Sequence, residues 1–175
     1  QRFETPAATY YAATTATMPR ELSVSNDGTR LVFGMGSLKT SLHTLRIRPE
    51  TGAAVGAPEE LVRNTSFRNS FPVFSPDGTR IAFFSRPMGD AGNYWVMNAD
   101  GSNVSQLSPS QHTEHIPSWM PDRTTIATVC QKDAAPALCL LGVDGTSRSI
   151  QVPVSFRAWG RLSPDGRELA FQRET

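Results

Sequence analysis

The stretch that decides the fold is residues 74–83, FSPDGTRIAF, in which an Asp-Gly turn separates two short apolar segments. Its centre recurs as SNDGTR at 25–30, MPDRTT at 120–125 and SPDGRE at 163–168. The four aspartates, Asp27, Asp77, Asp122 and Asp165, are therefore 50, 45 and 43 residues apart. A period of about 40–50 residues, with strand-like segments between the turns, is typical of the blades of a β-propeller.

The second repeat shows how one blade is built. Apolar segments at 71–74, 80–84, 94–97 and 104–107 predict four strands, joined by turns and short loops. In the first turn, Pro76 presets φ and Gly78 accepts the positive φ that closes it. The strand at 80–84 is apolar on both faces, as we expect for a blade packed between two others.

The remaining repeats map onto this one. They predict blades at about 19–66, 67–110, 111–154 and 155–175, the last of them truncated. Residues 1–18 form an N-terminal segment, for which the end of a preceding blade is one interpretation. No long segment has the 3.6-residue apolar period of a helix. We therefore predict an all-β fold, a β-propeller of four-stranded antiparallel blades that is incomplete in this chain, with about three and a half blades.

This incompleteness has consequences for partners. Propellers typically close at about four to eight blades, so we expect the chain to be a piece of a longer protein. An unclosed array exposes apolar blade faces and strand edges, which predicts self-association through those faces. The balance of 17 basic and 16 acidic residues argues against a nucleic-acid partner. No apolar run approaches the roughly 18 residues of a membrane helix, so we expect no membrane insertion.

Residues 74–83 resemble the TolB-type β-propeller repeat, and residues 94–103, YWVMNADGSN, resemble its second half. Residues 116–122 and 162–166 are similar to the first half again, so the resemblance covers about residues 20–175. The chain departs from the family at Arg123, where the family has Gly, and at Asn26, which replaces the turn proline. A side chain with positive φ is strained by about 1 kcal/mol or more, so we expect the turn at Arg123 to take another form.

The resemblance implies a non-catalytic module with a WD-like repeat that binds a protein or peptide. In the family such modules occur as the periplasmic component of an envelope complex, as sensor parts of larger bacterial proteins, and as lids on serine peptidases of the prolyl oligopeptidase type. It favours a periplasmic or other extracytoplasmic location. The alternative to a binding module is therefore the propeller lid of such a peptidase, with a catalytic domain outside this chain. A sugar-cleaving propeller ranks last, because only Glu114 is an acidic residue near the inner strands.

Alignment of the repeats brings five polar residues to the rim of the central channel, where the chain enters the innermost strands. They are Asn69, Ser70, Glu114, His115 and Arg157. Loop residues displayed by a rigid scaffold commonly bind partners, so we predict that this channel rim is the ligand- or partner-binding site.

Other patterns in the chain match metal-binding, cofactor-binding or catalytic motifs only in part. His112, Glu114 and His115 could ligate zinc, but two histidines three residues apart on an extended segment point to opposite faces. Residues 98–103 resemble part of a calcium loop, yet the bidentate glutamate is missing, since position 109 is Pro. There is no Gly-x-Ser-x-Gly elbow and no complete dinucleotide motif. We therefore expect no metal, no cofactor, no catalytic residue and no enzyme activity.

Cys130 and Cys139 flank the predicted loop of a hairpin in the third blade. Directly opposed positions would allow a disulfide, whereas a one-residue slip would put the two side chains on opposite faces. Both a disulfide and two buried thiols remain open, and the pattern slightly favours the thiols. A disulfide would indicate an oxidising compartment.

Overall fold

The computed structural model describes residues 20–36, 40–62, 67–87, 91–107, 115–132, 135–151 and 157–172. This part of the chain consists of strands, turns and loops and contains no helix, so the all-β prediction is confirmed. Nor does any helix in these ranges have the length and apolar character needed to cross a membrane.

In the described ranges, fourteen strands follow one another in groups of four, four, four and two. The first group is β1 (Arg20–Val24), β2 (Arg30–Gly36), β3 (Thr40–Ile47) and β4 (Ala54–Val62). The second is β5 (Phe67–Phe74), β6 (Arg80–Pro87), β7 (Asn93–Asn98) and β8 (Ser105–Gln106). The third is β9 (Ser118–Trp119), β10 (Thr125–Lys132), β11 (Ala135–Gly142) and β12 (Ser147–Gln151), and the last is β13 (Arg157–Leu162) and β14 (Leu169–Gln172). We call these groups blades one to four.

Within each blade, consecutive strands pair antiparallel. Blades one and two join into one sheet through a single parallel contact, between Thr40 of β3 and Arg68 of β5. In the described ranges no sheet closes on itself. The blade boundaries at residues 19, 67, 111 and 155 stay predictions, because most of the residues that flank them lie outside the described ranges.

The recurrent Asp-Gly turn is held by hydrogen bonds among residues at most five positions apart. Asp77 Oδ1 accepts from the Ser75 hydroxyl at 2.6 Å and from the Thr79 amide at 3.1 Å. The Gly78 amide donates to the Ser75 carbonyl at 2.8 Å, with the Gly78 φ at +67°. The turns of blades one and four repeat these bonds. A turn closed by such local bonds can be recognised from sequence.

The turn of blade three keeps this form, so the expectation that Arg123 would change it is wrong. Arg123 adopts a φ of +62° and its amide donates to the Met120 carbonyl at 3.1 Å. Met120 has no hydroxyl to offer Asp122. Instead, the Thr125 hydroxyl donates to Asp122 Oδ2 at 2.7 Å. The turn geometry is therefore preserved by a different donor and at the cost of one strained residue.

The core lies between the blades. Val32 and Leu42 of blade one pack with Ile81, Phe83 and Met97 of blade two. The opposite face of blade two packs on blade three through a second cluster, which contains Phe84, Tyr94, Trp119, Ile126 and Leu141. Both faces of β6 are thus buried, as its sequence predicted. The inner strands β1, β5, β9 and β13 contact one another in that order, which places the blades side by side in sequence, as in a propeller.

Candidate functional site

The channel rim predicted from sequence corresponds to the end of the blades where the inner strands begin. Each inner strand runs from this end to its Asp-turn at the other. Asn69 and Ser70 lie inside β5, which begins at Phe67 and not at the expected residue 71. Arg157 is the first residue of β13, and His115 lies three residues before β9. Glu114 lies outside the described residues.

Asn69 holds blade one against blade two. Its side chain is 1% exposed. Its Nδ2 donates to the Thr40 carbonyl at 3.0 Å, and its Oδ1 accepts from the Ser85 hydroxyl at 2.7 Å. The Thr40 hydroxyl in turn donates to the Asn69 carbonyl. Asn69 therefore uses both ends of its buried amide to join β5 to blade one and to β6.

Ser70 is also fully buried, at 0% exposed. It pairs with Phe84 just before a bulge in β5, where Phe71 takes a φ of +53°. A bulge bends a strand and re-aims the side chains that follow it. The partner-binding role of Ser70 and Asn69 stays a prediction, and both side chains are buried in the structure.

The segment that enters blade three is pinned to blade two by a tyrosine. The Tyr94 side chain is 0% exposed, and its hydroxyl donates to the His115 carbonyl at 3.1 Å. The same hydroxyl accepts from the Thr128 hydroxyl at 2.6 Å. The sequence pattern predicted Tyr94 only as a strand residue, although a buried tyrosine normally needs a polar partner. The half-buried His115 is therefore held in place through its backbone.

The structure brings no metal centre together in the ranges it describes, where no group of three or more potential metal-ligating side chains occurs. His112 and Glu114 are not among the described residues. The calcium-like segment 98–103 is a hairpin turn, in which Asp100 Oδ1 accepts from the amide and the hydroxyl of Ser102, at 2.9 and 2.6 Å.

The aspartates of the repeat are engaged in turns and are held ionised. The hydrogen bond from the Ser25 hydroxyl lowers the pKa of Asp27 to about 2, and the Ser75 hydroxyl does the same for Asp77. Hydrogen bonds that favour the charged form act in this direction. A general acid needs a pKa near the working pH, so these carboxylates are unsuited to that role.

Blade one contains a serine–histidine pair that sequence analysis missed. Ser41 Oγ lies 2.8 Å from His43 Nε2, and the imidazole stacks on Phe33 with ring centroids 6.0 Å apart. Burial lowers the pKa of His43, and the negative charge of Glu60, its neighbour on β4, partly opposes this. The signal available in the sequence was the spacing of two residues along a strand, which puts both side chains on one face.

Cys130 and Cys139 form a disulfide, with their Cα atoms 5.7 Å apart. The pattern had slightly favoured two thiols. The register, which the sequence left open, pairs Cys130 with Ala137 and Cys139 with Thr128. The cysteines are thus diagonal neighbours. An offset of two residues keeps both side chains on the same face of the hairpin, which is what permits the bond.

No family model matches the chain. Among curated proteins, it is 43% identical over 53 residues to the Tol-Pal system protein TolB of Anaeromyxobacter dehalogenans strain 2CP-C. It is also 34% identical over 59 residues to the uncharacterized peptidase YuxL of Bacillus subtilis. These matches cover 30% and 34% of the chain, and only 12% and 9% of the two relatives.

Solved structures resemble the chain over much more of its length. TolB from Acinetobacter baumannii superposes with a TM-score of 0.73 at 17% identity, over 90% of this chain and 38% of that one. An oligogalacturonate lyase in complex with manganese gives 0.67 at 16% identity, over 93% and 49%. A puromycin-hydrolyzing peptidase from Mycobacterium tuberculosis gives 0.65 at 12% identity, over 82% and 24%.

The three structures share an architecture, and at these identities the likeness concerns the fold alone. The chain spans less than half of the TolB structure from A. baumannii. The repeated Asp-turns, the stacked antiparallel blades and the likeness to TolB structures lead to one conclusion: the described part of the chain has a TolB-like β-propeller fold.

Proposed function

We propose that this chain is a non-catalytic binding module that receives a protein or peptide at the channel rim. The observation that carries the proposal is the way the rim backbone is fixed. Asn69 ties the start of β5 to blade one, and Tyr94 ties residue 115 to blade two. A surface that is ordered before binding loses little conformational entropy when a partner arrives.

His115 and Arg157 are the residues that the proposal places in contact with the partner. They occupy the entries to blades three and four, and the A. dehalogenans relative with the same repeat is named for a Tol-Pal system. The Cys130–Cys139 disulfide favours an oxidising, extracytoplasmic compartment.

The test is selection of a phage-displayed random peptide library on the purified protein. The rim variant combines His115→Ala with Arg157→Ala. The matched control is Arg148→Ala, which removes an exposed arginine on the outer strand β12. We leave Asn69 unchanged, because its substitution would break buried hydrogen bonds and confuse binding with stability.

We expect enriched peptides to lose at least about tenfold in affinity for the rim variant, the effect of one or two lost polar contacts, and to keep their affinity for the control. Peptides that bind the rim variant as tightly as the wild type would show that the site lies elsewhere. Failure to enrich any peptide would argue against a peptide-binding role.

A second candidate function is the propeller lid of a serine peptidase. The match to the peptidase YuxL and the likeness to the puromycin-hydrolyzing peptidase favour it. A Gly-x-Ser-x-Gly elbow encoded downstream in the same reading frame, together with fluorophosphonate labelling of the full-length protein, would support it. A full-length protein with neither would exclude it.

A further inference from the structure

A cavity of about 450 Å³ lies between blades one and two, at the Asp-turn end and away from the channel rim. Its walls come from β2, β3 and β4 of blade one and from the β7–β8 turn of blade two. Its volume is in the range of small-molecule sites. Nothing in the proposed peptide-binding role uses it.

The outer strand shapes one wall of this cavity through a bulge. Thr44 pairs with Glu59 and Arg46 pairs with Val55, so three residues of β4, 56–58, lie opposite the single residue Leu45. Gly56 takes a φ of +83°, and a Cβ placed there would meet no atom within 4 Å. The bulge therefore pushes β4 outward and opens the space beside β3.

Charges of both signs line the cavity, and two of them already have partners within the protein: Asp100 accepts from Ser102, and Arg30 donates to the Gly78 carbonyl. Arg46 and Glu59 both line it, and across the described ranges neither side chain has an ion pair or a hydrogen bond. Arg30, which also lines the cavity, lies directly opposite Arg46 and is bound to blade two, where it donates to the Gly78 carbonyl and lies over the Phe74 ring. Like charges placed directly across two strands are unfavourable, so Arg46 gains most from an anion brought from outside.

A buried hydroxyl in the same wall also lacks a partner. Thr44 is 8% exposed, and its Oγ1 has no hydrogen bond in the structure. It lies directly opposite Glu59 and two residues from Arg46 on β3. A buried polar atom without a partner is costly and uncommon, and it is an independent indication that something polar binds here.

We propose that this cavity binds a small zwitterion of the α-amino-acid type. The carboxylate pairs with the Arg46 guanidinium, whose planar fork suits two carboxylate oxygens, and accepts from the Thr44 hydroxyl once that side chain turns toward it. The ammonium pairs with Glu59. Diagonal cross-strand neighbours such as Arg46 and Glu59 are about 7–8 Å apart at Cα, a span suited to a ligand whose two charges are separated by one carbon.

The apolar part of the lining defines the ligand side chain. Val55, Ala57 and Ala99 line the same cavity, and Val55 is 45% exposed. Covering this surface is favourable, so an aliphatic amino acid fits better than a charged one. L-leucine is the probe that follows from this chemistry.

The test is isothermal titration of the purified protein with L-leucine, N-acetyl-L-leucine and L-leucinamide. The last two ligands each lack one of the two charges. The protein variants are Arg46→Gln, Glu59→Gln and Thr44→Val. Arg148→Gln and Glu168→Gln are the matched controls, since both residues are exposed and lie outside this cavity.

We expect one L-leucine to bind per chain. Loss of either charge, on the ligand or on the protein, should weaken binding by at least about tenfold, and Thr44→Val should weaken it several-fold, while both control variants bind like the wild type. Absence of measurable binding at millimolar L-leucine overturns the proposal. The proposal is also overturned if N-acetyl-L-leucine and L-leucinamide bind as tightly as L-leucine, or if Arg46→Gln and Glu59→Gln leave the affinity for L-leucine unchanged. The result of peptide selection at the channel rim does not depend on any of these outcomes, so the two proposals can fail separately.

Discussion

Replacing Tyr94 by Phe removes one buried hydroxyl that joins blade two to blade three. The ring keeps its packing, including its edge-on contact with Phe84 at 5.3 Å. The change in unfolding free energy therefore reports the two hydrogen bonds of the hydroxyl, to the His115 carbonyl and from the Thr128 hydroxyl. Each of these two buried bonds contributes about 1 kcal/mol. We expect Tyr94→Phe to cost about 2 kcal/mol.

Thr128→Val is the partner substitution that makes this estimate specific. It has nearly the same shape and removes only the bond to Tyr94, so alone it should cost about 1 kcal/mol. The double variant lacks both hydroxyls, so the bond between them is lost once, whereas the sum of the two single variants counts it twice. We therefore expect the double variant to lose about 2 kcal/mol, which gives a coupling energy of about 1 kcal/mol.

Urea unfolding followed by tryptophan fluorescence measures the three variants, and thermal melting should show a shift of about 4–8 °C for Tyr94→Phe. Hydrogen exchange at the amides of His115 and Ile116 should accelerate in the same variant, because the segment that enters blade three loses its tie. The reasoning would be refuted if the losses of unfolding free energy in the two single variants summed to the loss in the double variant within about 0.5 kcal/mol. A Tyr94→Phe variant as stable as the wild type would refute it too.

Three further predictions follow from local features. Arg123→Gly should stabilise the protein by about 0.5–1 kcal/mol, since it relieves a positive φ that costs about 1 kcal/mol or more, while the exposed ion pair that it removes, at 3.9 Å from Asp77, is weak. Gly78→Ala, at a φ of +67°, is the converse change and should destabilise the protein. In urea unfolding, an Arg123→Gly variant less stable than the wild type and a Gly78→Ala variant more stable than it would contradict both predictions. Thiol counting on denatured, unreduced protein should find Cys130 and Cys139 unreactive, and reduction should cost about 2–3 kcal/mol for a loop of this length; two reactive thiols would exclude the bond. The pKa of Asp77 is lowered to about 2, so the stabilisation by its charge is complete above its ordinary value of 3.8 and is lost as the pH falls toward 2. The stability difference between the wild type and Asp77→Asn should accordingly shrink over that range, and a difference that stays constant would refute this.

The architecture could be predicted from sequence because its main signal is local. The bonds that close each Asp-turn join residues two to five positions apart, as between Ser75, Asp77 and Thr79. Even the substituted turn at Arg123 keeps the geometry, because Thr125 supplies a nearby hydroxyl. Strand ends were less predictable. β5 extends through Asn69 and Ser70, which are polar and yet buried, because the partners of Asn69, Thr40 and Ser85, are 29 and 16 residues away in the chain.

The candidate sites depended more on tertiary structure. Alignment of the repeats predicted a channel rim, but it could not tell that Asn69 would be bonded to Thr40 and Ser85. The cavity that contains Arg46 and Glu59 had no sequence signal at all, since it depends on a bulge in β4 and on the turn of the next blade.

By itself, the sequence determined the repeat, the turn chemistry and the strand-rich character of this protein, because these follow from φ preferences and from hydrogen bonds between near neighbours. Tertiary structure decided which polar residues are buried, which face of the hairpin carries Cys130 and Cys139, and where a cavity opens between blades. The physical reason is pairing register: a shift of one residue between two strands reverses every side chain, and that register is set by contacts between residues far apart in the chain.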